Sequence, residues 1–175
     1  MEKATLAAEW EKYQQQLQQN PLHLPSLIAM ADLLFDNGKA ELAVPYYQKI
    51  TELQPDYPKA WYRLGRILLD QQPEAATPTL EKALRLIPTA QKKDRLRVQL
   101  LLAKAYRQQK QSAQARKLLE NILRQYPEYP EAINLLAQLE QTQGNTEQAY
   151  KLFQQLTTTT PPTRRKHHYN FSYCM

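Results

Sequence analysis

Three histidines and one cysteine are the side chains of this 175-residue chain whose types could support catalysis or metal binding. His23 lies in a segment between two predicted helices, whereas His167, His168 and Cys174 lie close to the carboxy terminus. None of them has a carboxylate or a second cysteine at the spacing of a zinc site, and no histidine can be paired with a nucleophile. His167 and His168 together could hold a metal only weakly. The sequence therefore predicts no catalytic residue, no resident metal and no cofactor.

The composition narrows the class of protein further. No run approaches the roughly 18 apolar residues that a membrane-spanning helix needs, and the opening segment does not resemble a secretory signal. The single cysteine has no partner for an intrachain disulfide and is predicted to be an incidental exposed thiol. We therefore expect a cytoplasmic protein, with a periplasmic or membrane-associated domain of a longer protein as the alternative.

The elements that would position any functional side chain follow from a sequence period of about 34 residues, a length typical of helical-repeat arrays. Leu27, Met30, Ala31 and Leu34 are followed one period later by Trp61, Leu64, Gly65 and Leu68. A second pair of segments has the same spacing, since Leu102, Ala103, Ala115, Leu119, Ile122 and Pro127 correspond to Leu136, Ala137, Ala149, Phe153, Leu156 and Pro161. Two independent pairs of segments thus agree on one period.

The pattern within one period resembles that of the tetratricopeptide repeat family. The matching residues are Trp61, Leu64, Gly65, Ala76 and Pro88. Leucines replace the aromatic residues at positions 68 and 80, and one residue is missing from the turn between the two helices. The resemblance implies an all-α fold, a right-handed superhelix of the αα-solenoid type. It would contain about four helix-turn-helix repeats and an amino-terminal capping helix.

Prolines set the predicted domain boundaries, because a proline just beyond a helix cannot continue it. The prolines that close successive second helices are Pro21, Pro55, Pro88, Pro127 and Pro161. We predict a capping helix within residues 1–22, a repeat array over residues 23–162 and a basic, aromatic tail over residues 163–175. The four repeats are predicted at residues 24–57, 58–90, 96–129 and 130–162. The tail is expected to be disordered; the alternatives are truncation of a longer array, or coverage of the last helix by Tyr169, Phe171 and Tyr173.

Two series of small residues are predicted to let neighbouring helices approach closely. The series on the first helices is Ala31, Gly65, Ala103 and Ala137, and the series on the second helices is Ala43, Ala76, Ala115 and Ala149. Gly38 and Gly144 are predicted to end helices with a positive φ. Pro45 and Pro78 lie early in second helices and imply either a late helix start or a kink.

The resemblance implies that the first helix of each repeat lines a concave groove in which ligands bind. The predicted binding residues are Lys59, Tyr62, Arg63, Arg66, Arg97, Lys104, Arg107, Asn134 and Gln138, with Asp32, Asp36, Asp70 and Gln141 on the same surface. The middle of this groove is basic and its carboxy-terminal end is rich in amides. An acidic peptide or protein segment is therefore the predicted ligand, with arginine side chains binding its carboxylates in pairs. The alternative is that long charged side chains merely solvate an open helical face.

The third repeat departs from the period. Pro88 and Pro127 lie further apart than the other prolines that close successive second helices, which places five additional residues within positions 89–95. Because this segment is compatible with a helix, we predict an extended first helix in repeat three that overhangs the groove edge. A longer loop is the alternative.

One ligand type of the family can be tested against the groove. Co-chaperones that bind the carboxy terminus of heat-shock chaperones need a Lys and an Asn on one repeat, an Asn on the next, and a Lys and an Arg on the third. In repeats one to three these places hold Ile28, Asp32, Arg63, Arg97 and Leu101. Only Arg97 fits, so we do not expect this partner.

Positive charge is concentrated in the second half of the chain. Residues 1–88 carry 9 Lys and Arg against 11 Asp and Glu, a net charge of −2, whereas residues 89–175 carry 14 against 6, a net charge of +8. This asymmetry raises nucleic acid or an anionic membrane as a partner, but no recognised nucleic-acid fold pattern accompanies it. We predict a non-catalytic scaffold or adaptor that binds protein, by analogy a bacterial assembly factor. The alternative is a structural protein that self-assembles by stacking repeat ends, as a homo-oligomer formed through the carboxy-terminal end.

Overall fold

The computed structural model describes the backbone of residues 2–159 and the side chains of residues 8–157. This part of the chain contains nine α-helices and no strand. Helices α1 to α9 span Glu2–Gln19, Leu24–Asp36, Ala40–Leu53, Pro58–Gln71, Pro73–Leu86, Lys92–Gln108, Ser112–Gln125, Pro130–Thr142 and Thr146–Thr159. The predictions for the tail, including His167, His168 and Cys174, lie outside the described residues. The described chain therefore forms an all-α fold.

The described chain divides into two compact units, one ending at Gln111 and the other beginning at Ser112. In the first unit α2 packs against α3, α3 against α4, α4 against α5, and α5 against α6. In the second unit α7 packs against α8, and α8 against α9. Each unit thus shows the alternation of first and second helices that repeats of this kind require. The boundary between the units falls inside the predicted third repeat.

The small residues of both predicted series are buried. Their alanines are between 0% and 3% exposed, and Gly65 is buried as well. A Cβ atom built on Gly65 would lie 2.6 Å from Leu80 Cγ and 2.7 Å from Leu80 Cδ2. Real carbon atoms that are not bonded do not approach this closely, and a fully buried leucine has little room to move. The contact between α4 and α5 therefore depends on the missing side chain at position 65.

The amino-terminal helix α1 packs on α2 through a polar contact. Ser26 Oγ, at the start of α2, donates a hydrogen bond to Gln16 Oε1 at 2.5 Å, and His23 Nδ1 lies 2.7 Å from the same Ser26 Oγ. The Ser26 hydroxyl is thus in hydrogen-bond contact with both Gln16 of α1 and His23. Ser26 is fully buried, so these bonds satisfy a polar group that water cannot reach. His23 therefore has a structural role at this junction.

Left-handed backbone follows three of the described helices. Gly38 and Gly144 have φ values of +74° and +81°, as predicted. Lys110 takes the equivalent place after α6, one repeat period before Gly144, and has a φ of +59°. The Gln111 N–H donates to the Tyr106 carbonyl at 2.8 Å and closes that helix. A lysine is thus held in a conformation that suits glycine.

The turn between the two helices of repeat two has no residue at the position that Gly38, Lys110 and Gly144 occupy in the other repeats. Gln72 both ends α4 and precedes α5, which begins at Pro73. This is the missing residue that the sequence pattern indicated. Pro45 and Pro78 lie inside α3 and α5, so neither helix begins late.

The inserted segment mainly lengthens a helix, as predicted, and adds only one residue to the loop, since residues 87–91 stand where 54–57 and 126–129 stand in the other repeats. Helix α6 has 17 residues, whereas α2 and α8 have 13 and α4 has 14. Arg95, in the added turn, donates from Nη1 to the Leu84 carbonyl at 2.9 Å and to the Ile87 carbonyl at 2.7 Å. These carbonyls lie at the end of α5, where a cation is favourable. The extra turn of α6 therefore also caps α5.

The second unit contains a buried ion pair. Glu140 of α8 is 2% exposed and makes a two-pronged contact with Arg116 of α7, including a 3.0 Å bond from Arg116 Nη2 to Glu140 Oε2. Asn145 Nδ2 donates to the same oxygen at 2.7 Å, and Gln143 Oε1 accepts from Arg116 at 2.5 Å. The equivalent positions of the other repeats hold Leu34, Leu68 and Tyr106. Because Arg116 and Asn145 both converge on one carboxylate, the pair fixes α7, α8 and the turn before α9.

We expect Gly65→Ala to destabilise the protein. Alanine is favoured over glycine inside a helix by about 1 kcal/mol, but overpacking against Leu80 costs roughly 1–3 kcal/mol. Urea unfolding followed by circular dichroism measures the difference. In the Leu80→Ala background the same substitution should become neutral or stabilising, because the obstructing side chain is gone. Equal destabilisation in both backgrounds would contradict the assigned contact.

Lys110→Gly should stabilise the protein by about 1 kcal/mol, because a left-handed conformation costs a residue with a Cβ roughly that amount. Thermal melts of the variant and the wild type test this. The matched control is Gly144→Ala, which should be destabilising since the same conformation then carries a Cβ. A lower melting temperature for Lys110→Gly would count against the conformation described for this turn.

Glu140→Ala should cost about 3–5 kcal/mol, since it leaves Arg116 partly buried without its carboxylate. The control is Glu147→Ala, which removes an ion pair with Lys151 from a side chain that is 84% exposed. That variant should lose less than about 1 kcal/mol. If chemical unfolding showed similar losses in the free energy of unfolding for both variants, the structural role given to the pair of Glu140 and Arg116 would be wrong.

Candidate ligand-binding groove

Asp32 of α2 is the central acceptor where α2, α3 and α4 meet. Its Oδ1 accepts from the Tyr47 hydroxyl of α3 at 2.8 Å and from Arg63 Nη1 of α4 at 3.0 Å. Its Oδ2 lies 2.5 Å from Lys59 Nζ, also of α4. One carboxylate thus joins the first two repeats on the surface that the sequence assigns to the groove.

Arg63 makes the complementary contacts. Its Nη2 lies 3.1 Å from Asp36 Oδ1, one helical turn beyond Asp32, and its Nη1 also donates to Tyr47 Oη at 3.1 Å. The Arg63 side chain is 15% exposed, whereas that of Asp36 is 60% exposed. Arg63 therefore holds two carboxylates of the preceding repeat from a largely buried position.

Phe35 of α2 lies beside two arginines of α4. Arg63 Cζ is 4.6 Å and Arg66 Cζ is 5.2 Å from the centre of its ring. The Tyr47 ring meets Phe35 edge-on, with centres 6.3 Å apart. Guanidinium groups at this distance from an aromatic ring are attracted to it. Phe35 therefore positions Arg66 as well as Arg63.

Burial and neighbouring charges shift the pKa values of Tyr47 and Arg63. Burial raises the pKa of Tyr47, and the nearby Asp32 adds to the effect while Arg63 opposes it. For Arg63, burial by itself lowers the pKa, but the hydrogen bond with Tyr47 and the charges of Asp32 and Asp36 raise it overall. The tyrosine thus stays protonated and donates to Asp32, and the guanidinium stays charged.

Three predicted cations lie on α6, which packs against α4 and α5. Arg97 is exposed and its Nη1 lies 3.2 Å from Asp94 Oδ1. Lys104 and Arg107 are partly buried, and burial lowers the pKa of Arg107. Tyr62 of α4 is partly buried as well. Positive charge therefore continues along α6 beyond the pairs that Asp32 and Asp36 make.

The predicted amide residues lie in the second unit, on α8. Gln138 Nε2 is 3.4 Å from Asn134 Oδ1, one turn away, and Gln141 is exposed. Amide side chains both donate and accept hydrogen bonds without carrying charge. This surface of α8 can therefore bind polar or backbone groups of a ligand.

Sequence reasoning named Asp32, Asp36, Lys59, Arg63 and Arg66 but did not pair them. The spacing contains a signal, since the acids are four residues apart on one helix and the bases are four and three apart on the next first helix. The same reasoning missed Phe35 and Tyr47, although Tyr47 occupies an aromatic position of the family pattern. Those two rings hold the arginines in place.

The described residues offer little for other kinds of site. Among them, no group of His, Cys, Asp and Glu could hold a metal ion. No described helix has the length and apolar content to cross a membrane. An open cleft of about 570 Å³ lies between α5 and α6, and its lining residues are Glu81, Leu84, Arg85, Ile87, Pro88, Thr89 and Arg95. None of these lining residues belongs to the predicted groove.

Solved structures of several repeat proteins share this fold. A crystal structure of MamA has a TM-score of 0.76 at 19% identity, over 90% of this chain and 84% of MamA. PilF of Pseudomonas aeruginosa has a TM-score of 0.67 at 19% identity, over 91% of this chain and 71% of PilF. PilW, a type IV pilus biogenesis factor, has a TM-score of 0.68 at 17% identity, over 91% of this chain and 72% of PilW. These likenesses confirm the predicted fold class.

Sequence comparisons agree with the fold. The general transcriptional corepressor ssn6 of Schizosaccharomyces pombe is 34% identical over 59 residues, which are 34% of this chain and 5% of ssn6. A model described as Tetratricopeptide repeat matches residues 24–67, and the model of the Cytochrome c-type biogenesis protein H TPR domain matches residues 51–167, more than half of the chain. The chain therefore belongs to the tetratricopeptide repeat family, in the group of the cytochrome c-type biogenesis protein H domain.

Proposed function

We propose that this chain is a non-catalytic adaptor that binds an acidic segment of a protein partner along the first helices of its repeats. Tetratricopeptide repeat domains bind proteins, and they are generally interaction modules without catalytic activity. The family match supports this class of function. The chemistry of the groove residues supports the preference for acidic ligands.

The observation that carries the proposal is the unequal distribution of charge in the first unit. Of its first helices, α2 carries two Asp and no Lys or Arg, α4 carries three Lys and Arg against one Asp, and α6 carries six Lys and Arg against one Asp. Clustered charge of one sign steers an oppositely charged ligand and speeds its association. Guanidinium groups then bind carboxylates with good geometry.

A role in assembly is part of the proposal. The family model that matches most of the chain is that of the TPR domain of a cytochrome c-type biogenesis protein, and PilW is described as a pilus biogenesis factor. We propose that the chain acts as an assembly factor that holds a partner during such a process. The family match also supports the periplasmic alternative over the cytoplasmic location expected from the sequence.

Self-assembly through α9 is the second candidate, and one observation favours it. Tyr150 of α9 is 58% exposed, and Phe153 is only partly buried. Tyr47, Leu80 and Leu119, which take the place of Phe153 in the other second helices, are between 0% and 2% exposed. An apolar surface of this kind favours association with another copy.

Reversing two cations of the groove tests the first candidate. The variant Arg66→Glu/Lys104→Glu should bind a fluorescein-labelled octaglutamate peptide at least about tenfold more weakly than the wild type, because repulsion replaces attraction. Fluorescence anisotropy measures the affinity. Arg63 is left unchanged, because a glutamate at this position would be repelled by Asp32 and Asp36 and would disrupt the contact between α2 and α4.

The control for this variant is Lys82→Glu/Arg85→Glu, which also reverses two charges, on the second helix α5 of the same unit, and none of the predicted groove residues. It should change the affinity little. Equal losses in both variants would indicate only non-specific attraction by net charge and would contradict a groove site. A sedimentation mass that rises with concentration, and that falls in Tyr150→Ser, would support self-assembly instead.

A further inference from the structure

The guanidinium of Arg63 already binds two carboxylates, and both belong to the chain itself. Asp32 lies 3.0 Å from Nη1 and Asp36 lies 3.1 Å from Nη2. Paired contact of this kind is how an arginine holds the acidic groups of a ligand. The two aspartates thus occupy the positions at Arg63 that acidic groups of a ligand would take.

The two aspartates are held with different strength. The Asp32 side chain is 22% exposed and also accepts from Tyr47 and Lys59, so its removal would leave several donors without an acceptor. The Asp36 carboxylate is 60% exposed and has its ion pair with Arg63 at the edge of the cluster. Exposed ion pairs contribute little to stability and exchange readily with other ions. Asp36 is therefore the carboxylate that a ligand could displace.

Arg63 is prepared to receive a replacement. Its guanidinium stays fixed by Asp32, Tyr47 and the ring of Phe35 when Asp36 moves away. Arg66 lies against the same ring, 5.2 Å from its centre, so a second cation is close to the vacated position. A preorganised donor loses less conformational entropy on binding than a mobile one.

We infer that Asp36 is an internal competitor for the acidic ligand, and that a carboxylate of the partner displaces it from Arg63 while Asp32 stays in place. This inference rests on the proposed function and makes it more specific. A partner needs enough acidic groups to compete with an aspartate that is always present at the site. Weakly acidic segments are therefore excluded from this end of the groove.

The variant Asp36→Asn tests the inference. Removing the competing charge should increase the affinity for the labelled octaglutamate peptide by about twofold to fivefold. The matched control is Asp56→Asn, which removes one exposed negative charge from the turn between α3 and α4 and alters the net charge by the same amount. Asp56→Asn should leave the affinity close to that of the wild type. Asp36→Ser serves as a second variant if the asparagine disturbs the end of α2.

A double variant tests whether the gain in peptide affinity depends on Arg63. Asp36→Asn/Arg63→Gln should lose the gain in affinity, because the vacated guanidinium is then absent; circular dichroism checks that this variant folds. The inference is overturned if the peptide binds the wild type, Asp36→Asn and Asp56→Asn equally. Binding by Asp36→Asn but not by the wild type would support it. Absence of binding to all of these proteins, even at low salt, would overturn the proposed function together with the inference.

Discussion

Close approach between helices at positions without a large side chain is the constraint on which the rest of this structure depends. The series of small residues on the first and second helices is buried throughout, and at Gly65 even a methyl group would collide with Leu80. With the helices held in this arrangement, the long side chains of Lys59 and Arg63 on α4 reach Asp32 on α2. Stacking geometry therefore decides which charges meet in the groove.

The two ion-pair clusters described above have different physical characters. Glu140 and Arg116 form a pair whose carboxylate is almost fully buried, so its geometry has to be complete for the second unit to remain stable. In the cluster around Arg63 the two carboxylates differ in solvent exposure, since Asp32 is the more enclosed and Asp36 is exposed. An enclosed ion pair supports the fold, whereas an exposed carboxylate can exchange with another anion. This difference is why we propose a ligand-binding role for the cluster around Arg63 and a structural role for the pair of Glu140 and Arg116.

Proteins that share this fold at low identity include MamA and the pilus protein PilW. One backbone of this kind can carry different surface chemistry, since the stacking residues and the predicted groove residues are different positions of each repeat. In this chain the stacking positions follow the family pattern. Its groove residues depart from the arrangement that binds heat-shock chaperones, because Asp32 and Arg63 stand where that arrangement needs asparagines. The family therefore determines the class of function, and the groove chemistry determines the proposed ligand.

The sequence by itself determined the helices, the buried small residues and the lengthening of α6, because a repeated pattern reports which positions face a neighbouring helix. It also predicted the charged positions of the proposed groove. It did not determine that Asp32 would bind Tyr47, Lys59 and Arg63 together, that Lys110 would take a left-handed conformation, or that Glu140 would be buried. Those outcomes depend on how side chains and turns meet once the helices are packed, and contacts between residues far apart along the chain are set only by that packing.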